Sequence, residues 1–197
     1  MIDYIKGTIE ELTPTDLVLE THDIGYMIHI PLTVYTALSG QKIAKIFIYE
    51  AIREDAHLLY GFLSREERQL FLLLISVSGV GANTARVIMS SYSAKEIQDM
   101  IASGNVAALN AVKGIGAKTA QRIIVDLKDK ILKIGGTVME GASGISFETN
   151  TVKEETLAAL VMLGYTQAAS QKVVEKILKD DPALKVEQVI KMALKML

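Results

Sequence analysis

VSGVGANTARVIM (Val77–Met89) and VKGIGAKTAQRII (Val112–Ile124) are two similar stretches of the sequence that lie 35 residues apart. Both contain two glycines separated by one apolar residue, and both continue with apolar residues at helical spacing. The positions that are identical in both stretches are, in the first, Val77, Gly79, Gly81, Ala82, Thr84, Ala85 and Ile88. Each stretch therefore predicts a tight turn that leads directly into a helix.

A Gly-X-Gly turn at the start of a helix can form an anion-binding site. Glycine has no Cβ and accepts positive φ, so the backbone comes close to a ligand, and N–H groups converge with the positive end of the helix dipole. One such site contributes only about 0.3–2 kcal/mol, and a single turn of this kind is more often just a tight helix connection. The repetition favours phosphate binding by both turns, without recognition of base sequence. The phosphate-contacting residues are then Gly79, Gly81, Thr84, Lys113, Gly114, Gly116, Lys118, Thr119 and Arg122.

Charge is distributed unevenly along the chain, although its formal net charge is only −2. Residues 1–64 contain 4 basic and 9 acidic side chains, residues 65–134 contain 10 and 6, and residues 135–197 contain 7 and 8. Both glycine turns lie in the basic middle segment. This distribution favours a polyanionic partner for that segment, although ordinary solvated surfaces also carry an excess of this size.

Residues 1–64 are predicted to form a small β-barrel. Short β-prone runs, DLVLE, GYMIHI, KIFIYEAI and HLLYGF, are separated by turn sequences such as TPTD and HDIG. A short helical stretch in PLTVYTALSG interrupts the strands midway. This order predicts a five-stranded, partly open barrel of the oligonucleotide-binding (OB) type.

Residues 65–134 have helical periodicity. Ser64 with Glu67 and Ser93 with Glu96 have the spacing of capping boxes, in which side chains satisfy the free N–H groups at the start of a helix. The helices are predicted at residues 65–76, 82–91, 94–103, 105–110 and 117–133.

Residues 135–150, GGTVMEGASGISFETN, contain four glycines and no clear period, which predicts a flexible linker. A third capping box, Thr151 with Glu154, is predicted to begin a module of three short amphipathic helices over residues 151–197. The chain is therefore predicted to be an α+β multidomain protein with a barrel, a helical domain, a linker and a three-helix module.

Nucleotide hydrolysis and metal binding find no support in the sequence. A P-loop requires GxxxxGK[ST] after a strand, but Ala117 separates Gly116 from Lys118 and the preceding segment is predicted to be helical. The three histidines, His22, His29 and His57, lack the spacing of metal ligands, and no serine or carboxylate pair has a recognisable catalytic context. We therefore expect no cofactor and no resident metal.

The composition favours a cytoplasmic protein. The longest apolar run, Leu70–Val77, is far shorter than the roughly 20 residues that cross a bilayer. The absence of cysteine excludes a disulfide framework and fits a reducing compartment.

Over its whole length the chain resembles the RuvA family. The residues that carry this resemblance are SGVGANTA and KGIGAKTA of a tandem helix-hairpin-helix domain, LVMLGY of the terminal module, and REDAHLLYGF (Arg53–Phe62). The last stretch is similar to the family's acidic pin, which implies that Glu54 and Asp55 form the pin; without the resemblance they would be ordinary solvated turn residues. Related sequences commonly have a basic residue where this chain has Asn83, which implies a phosphate contact that is weaker or shared with Arg86.

The resemblance implies a function in DNA recombination and repair. RuvA-like proteins bind four-way (Holliday) junctions as tetramers, sometimes paired into octamers, and hold the junction open and square-planar. Their terminal UBA-like domain engages the hexameric ATPase RuvB, and the resolvase RuvC cleaves the junction. The chain itself is then expected to be non-catalytic, with Leu160, Leu163 and Tyr165 as the motor-binding residues. Apolar stripes of this kind more often just pack the module's own core.

Two other functions stay open at this point. The chain could be a helix-hairpin-helix repair nuclease or glycosylase that uses the same turns as DNA anchors, although the required catalytic pocket is not evident. It could also be a protein-interaction adaptor that does not contact DNA.

Overall fold

The chain divides into two compact units, Met1–Val138 and Met139–Leu197. The computed structural model describes residues 1–135 and 146–197. The bounds predicted for the linker, residues 135–150, are wrong at both ends, because one helix ends at Gly135 and the next begins at Ser146. Residues 136–145 lie outside the described residues, so a linker there stays a prediction. In the first unit a β-barrel precedes a group of helices, and the second unit contains helices.

The barrel has five strands and closes completely. Its elements are β1 (Tyr4–Leu12), β2 (Asp16–Thr21), β3 (Ile24–His29), α1 (Leu32–Leu38), β4 (Ile43–Ile52) and β5 (His57–Phe62). The strand order β1-β2-β3-β5-β4 returns to its start because β1 pairs with both β2 and β4. The prediction of a partly open barrel is wrong, because β3 and β5 form a short parallel ladder in which Ile28 pairs with Leu59 and His29 with Tyr60.

Strand β1 lies outside the apolar runs that predict the other four strands. Only Ile5 of its nine residues is fully buried, so its sequence lacks the usual apolar signal. Gly7 lies where β1 crosses closely over β2, and a Cβ at this position would lie 2.1 Å from the carbonyl oxygen of Glu20. A glycine in this strand therefore allows a close approach of two backbones.

Strands β4 and β5 contribute to two cores. Ile46 and Ile48 point into the barrel. On the opposite face Tyr60 and Phe62 pack against the helices, with the ring of Phe71 lying 5.5 Å from Tyr60 and 4.8 Å from Phe62, centroid to centroid. Because successive residues of a strand point to opposite faces, one sheet supports both the barrel and the helical domain.

The helical part of the first unit agrees with the sequence prediction to within one or two residues. Ser93 and Glu96 form the full predicted capping box. The box predicted at Ser64 forms only in part: the Ser64 side chain accepts from the N–H of Glu67, but the Glu67 carboxylate accepts from the N–H of Leu63. The helices are α2 (Arg65–Ile75), α3 (Ala82–Ser91), α4 (Ala94–Ser103), α5 (Val106–Asn110) and α6 (Ala117–Gly135).

An ion pair joins α2 to the barrel. Arg68 donates to the carbonyl oxygens of Asp3 and Ile48 at 2.8 and 3.1 Å, and its Nη2 lies 2.8 Å from Asp3 Oδ1. The hydrogen bond from Arg68 lowers the pKa of Asp3 below its ordinary value of 3.8, and the nearby charges of Arg68 and Arg65 act in the same direction. The ionised carboxylate thus stabilises the folded state.

This ion pair predicts an acid-dependent loss of stability. A carboxyl group with a lowered folded-state pKa stabilises the fold above its unfolded pKa, and this contribution is lost as the pH falls through the folded value. Asp3→Asn should therefore lower the denaturation midpoint at neutral pH, and the difference from the unsubstituted chain should shrink as the pH falls below 3.8 and through the lower folded-state pKa of Asp3. Urea titrations at several pH values between neutral and acid measure this difference. Glu10→Gln, which removes an exposed carboxylate of β1, is the control. A difference that persists in acid would contradict the assignment.

Over residues 146–197 the second unit forms three helices, α7 (Ser146–Met162), α8 (Gln167–Asp180) and α9 (Val186–Ala193). Helix α7 begins five residues before Thr151, so the helix start predicted from Thr151 and Glu154 is wrong. The spacing of Thr151 and Glu154 therefore matches a capping box without marking a helix start, because the chain is already helical at Thr151. The core of the unit consists of Leu160, Val174, Ile177, Leu178, Val189 and Ala193.

Candidate nucleic-acid interface

The two glycine turns, Val77–Gly81 (turn 1) and Val112–Gly116 (turn 2), have the same geometry. In turn 1 the N–H of Val80 donates to the carbonyl oxygen of Val77 at 3.0 Å, and Gly79 has a φ of +91°. The same two features recur in turn 2, with a distance of 3.1 Å and a φ of +90°. The flanking apolar side chains of each turn are buried, which fixes the turn to the core.

Both turns present unpaired backbone donors. The carbonyl of Gly81 accepts the first hydrogen bond of α3, from Ala85 at 2.9 Å, and Gly116 and Ala120 repeat this at the start of α6 at 3.0 Å. The N–H groups ahead of these bonds have no acceptor among the described residues. They belong to Gly81, Ala82, Asn83 and Thr84 in the first copy, and to Gly116, Ala117, Lys118 and Thr119 in the second.

The fold does not require glycine at the last position of either turn. Gly81 has φ −86° and ψ 169°, an extended conformation open to any residue. A Cβ at Gly81 or Gly116 would meet no atom within 4 Å, and neither glycine has a positive φ. Glycine at these two positions instead leaves open space in front of the unpaired N–H groups, where a phosphate can approach closely.

A hydrogen bond places the two turns next to each other. Arg122, in the second turn of α6, donates from Nη1 to the carbonyl oxygen of Ser78 at 3.1 Å. The start of α6 therefore lies beside turn 1, and both sets of unpaired donors belong to one region of the surface. Lys113 and Lys118 are exposed in the same region.

Arg86 is bound by protein acceptors. Its Nη2 donates to Asn83 Oδ1 at 3.0 Å, and its Nη1 donates to the carbonyl oxygen of Thr15 in the β1–β2 turn at 3.2 Å. The Asn83 amide thus faces Arg86 at the start of α3. Thr84 and its counterpart Thr119 are partly buried.

The predicted acidic pin is a tight β-turn between β4 and β5. The N–H of Arg53 donates to the carbonyl oxygen of Ala56 at 2.8 Å, which leaves Glu54 and Asp55 as the two central, exposed residues. A cavity of about 430 Å³ separates the base of this turn from turn 1; Ile52 and Arg53 line it on one side and Val80, Gly81 and Ala82 on the other. The carboxylates therefore lie on the same side of the unit as the phosphate-binding candidate.

Comparison with known proteins identifies the family. Profiles described as "RuvA N terminal domain", "SAM-like Helix-hairpin-helix tandem" and "RuvA, C-terminal domain" match residues 1–61, 71–129 and 151–197. The chain belongs to the RuvA family. Proteins named "Holliday junction branch migration complex subunit RuvA" are 57% identical in Parabacteroides distasonis, 52% in Bacteroides thetaiotaomicron and 49% in Porphyromonas gingivalis, each over the full length of both chains. The predicted family and fold class are confirmed.

The C-terminal unit of this RuvA-family chain exposes apolar side chains where α7 ends. Leu160 is fully buried in the core, so it offers no surface to a partner. Leu163 is 60% exposed, and its neighbours Val161 and Met162 are 45% and 89% exposed. Tyr165 is half-buried against the core. The exposed face of the predicted motor-binding residues therefore consists of Leu163 with its two neighbours.

Two residues of the RuvA-family interface carry no sequence signal. Thr15 and Ser78 contribute only backbone carbonyls to Arg86 and Arg122, and any residue has a backbone carbonyl. Sequence analysis could therefore not find them.

Two further observations concern metal binding and membrane insertion. Within residues 1–135 and 146–197 no cluster of three or more histidine, aspartate or glutamate side chains is arranged to hold a metal ion. No helix in this part of the chain combines the length and apolar character needed to cross a membrane.

Proposed function

We propose that this chain binds four-way (Holliday) DNA junctions and holds them open and square-planar for branch migration. The observation that carries the proposal is the pair of neighbouring turns whose unpaired N–H groups face open space at Gly81 and Gly116. Such donors, together with the dipoles of α3 and α6, bind phosphate oxygens without reading bases. That suits a junction, which is defined by its shape and forms in any sequence.

The remaining parts of the interface have complementary roles in this proposal. Lys113 and Lys118 add positive charge to the phosphate site at turn 2. At turn 1 the position that corresponds to Lys118 is the uncharged Asn83, so phosphate binding there depends more on the backbone N–H groups. Glu54 and Asp55 repel phosphates and direct the strands apart at the crossover. A fourfold assembly, as a tetramer or as a paired octamer on DNA, matches the symmetry of a four-way junction.

The partners follow from the same proposal. RuvB, the hexameric ATPase of branch migration, docks on the apolar face around Leu163 of the C-terminal unit and supplies the directed motion. RuvC cleaves the junction that the assembly holds open. The chain itself is a non-catalytic subunit. It acts in the cytoplasm, where its DNA partner lies.

A gel-shift titration with four-way and linear DNA of the same sequence tests the proposal. The chain should bind the four-way junction at least about tenfold more tightly, and the affinity should fall steeply with salt because phosphate contacts release counterions. Equal affinity for both DNAs would contradict junction recognition, and no binding at low salt would favour a protein-interaction adaptor. Incubation of the junction with the purified chain and magnesium is the control, since cleavage of the DNA would favour a helix-hairpin-helix nuclease.

A further inference from the structure

Arg86 joins the first DNA-binding turn to the barrel. Its side chain starts one turn into α3 and bridges two acceptors, Asn83 Oδ1 at the start of the same helix and the carbonyl oxygen of Thr15 in the barrel. The bridge therefore spans 71 residues of sequence. A planar guanidinium with several fixed N–H donors suits this task, because it can serve two acceptors at once.

The barrel side of the bridge is rigid. The Thr15 carbonyl also accepts the N–H of Ile30 at 2.9 Å, so it is held by the barrel backbone. The turn around it is closed by the N–H of Asp16, which donates to Thr13 Oγ1 at 2.9 Å. His29 Nδ1 lies 2.5 Å from Asp16 Oδ1. Because the Thr15 carbonyl is held in this way, it fixes the position of the Arg86 guanidinium that donates to it.

The opposite end of α3 has its own attachment to the barrel. The N–H of Leu32 donates to Ser90 Oγ at 3.0 Å, and Thr33 Oγ1 donates to the carbonyl oxygen of Met89 at 3.2 Å. These contacts hold the C-terminal end of α3 to α1. The N-terminal end, which carries turn 1, is tied to the barrel by the Arg86 bridge, so this bridge helps to orient turn 1 relative to the barrel.

We propose that Arg86 is a positioning residue, which orients turn 1 relative to the barrel and its acidic pin and does not itself bind phosphate. This inference rests on the proposed function and deepens it. The pin belongs to the barrel and turn 1 belongs to the helical domain, and both must meet the same junction. The Arg86–Thr15 contact is a direct hydrogen bond between these two parts, close to turn 1.

Two substitutions separate positioning from direct phosphate binding. Arg86→Lys keeps the charge but has one nitrogen in place of the two that serve Thr15 and Asn83, whereas Arg86→Met removes the charge as well. Positioning predicts that both variants bind the junction more weakly, about tenfold for Arg86→Met, because the two-nitrogen bridge is lost. The slope of log affinity against log salt should stay unchanged in both, because no phosphate contact is lost.

Direct phosphate binding predicts a different result. Arg86→Lys would then bind like the unsubstituted chain, and Arg86→Met would lower the salt slope by about 0.9. That result, or unchanged affinity in both variants, would overturn the proposal. Lys118→Met is the matched comparison, because Lys118 occupies in turn 2 the position of Asn83 in turn 1 and should show the reduced slope.

A measurement without DNA distinguishes failure of this inference from failure of the proposed function. Amide hydrogen exchange of the free full-length chain should accelerate in both Arg86→Lys and Arg86→Met, in peptides that cover the β1–β2 turn, Ile30 and the hydrogen-bonded amides of α3 from Ala85 onward. Unchanged exchange in both variants would overturn the bridge even if the junction binds. Faster exchange in a chain that shows no junction preference would leave the bridge in place and remove the proposed function.

Discussion

Gly116→Val is expected to abolish junction binding while the protein stays folded. The new side chain would occupy the open space in front of the N–H groups that start α6, which is where a phosphate must approach. If each assembled subunit lost about 1 kcal/mol of phosphate binding, four subunits on one junction would lose about 4 kcal/mol, or roughly a thousandfold in affinity. Gel shifts with four-way DNA at low salt measure this loss.

The fold should tolerate this substitution because it places no new atom against the protein. No described atom lies within 4 Å of a Cβ at Gly116, and the residue has no positive φ. Valine is a poorer residue than glycine before a helix, which costs about 1 kcal/mol or less. Thermal unfolding of the free protein should therefore shift by only a few degrees.

Two matched variants make this experiment decisive. Gly116→Ser preserves a favourable helix start and adds a smaller side chain, so it should weaken binding less than valine does. Gly114→Val has the opposite character, because a φ of +90° strains a β-branched residue, and it should destabilise the fold itself. Unchanged junction affinity in Gly116→Val would remove turn 2 from the interface.

The sequence predicted those parts of the fold that local chemistry determines. The Ser93–Glu96 capping box and the duplicated glycine turns have local causes, so the bounds of α3 and α4 agree with the prediction. Strand β1 was not indicated, because its partners on both sides hold it in place and only Ile5 is buried. Closure of the barrel also depends on a pairing between distant strands, which periodicity does not reveal.

The candidate site shows the same division between local and distant causes. The glycines of both turns were predictable because turn geometry and ligand approach constrain the residue type directly. The partners of Arg86 and Arg122 were not, because each arginine binds a main-chain carbonyl 71 or 44 residues away. A basic residue in a basic segment therefore predicts phosphate binding, whereas its hydrogen bonds to distant main-chain carbonyls depend on the fold.

The acidic pin is expected to act through selectivity rather than through affinity for the junction. Glu54 and Asp55 are the exposed central residues of the turn that joins β4 to β5. A carboxylate and a phosphate about 6 Å apart repel by roughly 0.7 kcal/mol in water and about 3 kcal/mol at an effective dielectric of 20. Because the pin is repeated in each subunit of the proposed assembly, these repulsions add up.

This repulsion need not melt DNA. Branch migration forms one base pair for each pair it breaks, so a stacking step of about 1.4 kcal/mol is returned on the other side of the junction. In the proposed function the pin therefore selects the path of the strands, and the direction is left to the partner ATPase. A change in the pin should accordingly alter which DNA is bound more than whether DNA is bound.

Neutralising the pin with Glu54→Gln and Asp55→Asn together should raise the affinity for linear duplex about tenfold and change the affinity for the junction much less. Glu10→Gln with Glu11→Gln is the matched control. It makes the same change in net charge, but Thr8 of β1 pairs with Ile43 at the start of β4, so these two glutamates lie at the opposite end of the strand from the pin. Titrations with both DNAs should also show the gain shrinking as salt rises, because the Debye length is about 10 Å at 0.1 M. Lower affinity for linear duplex, or an equal gain in the control, would show that these carboxylates do not select the junction.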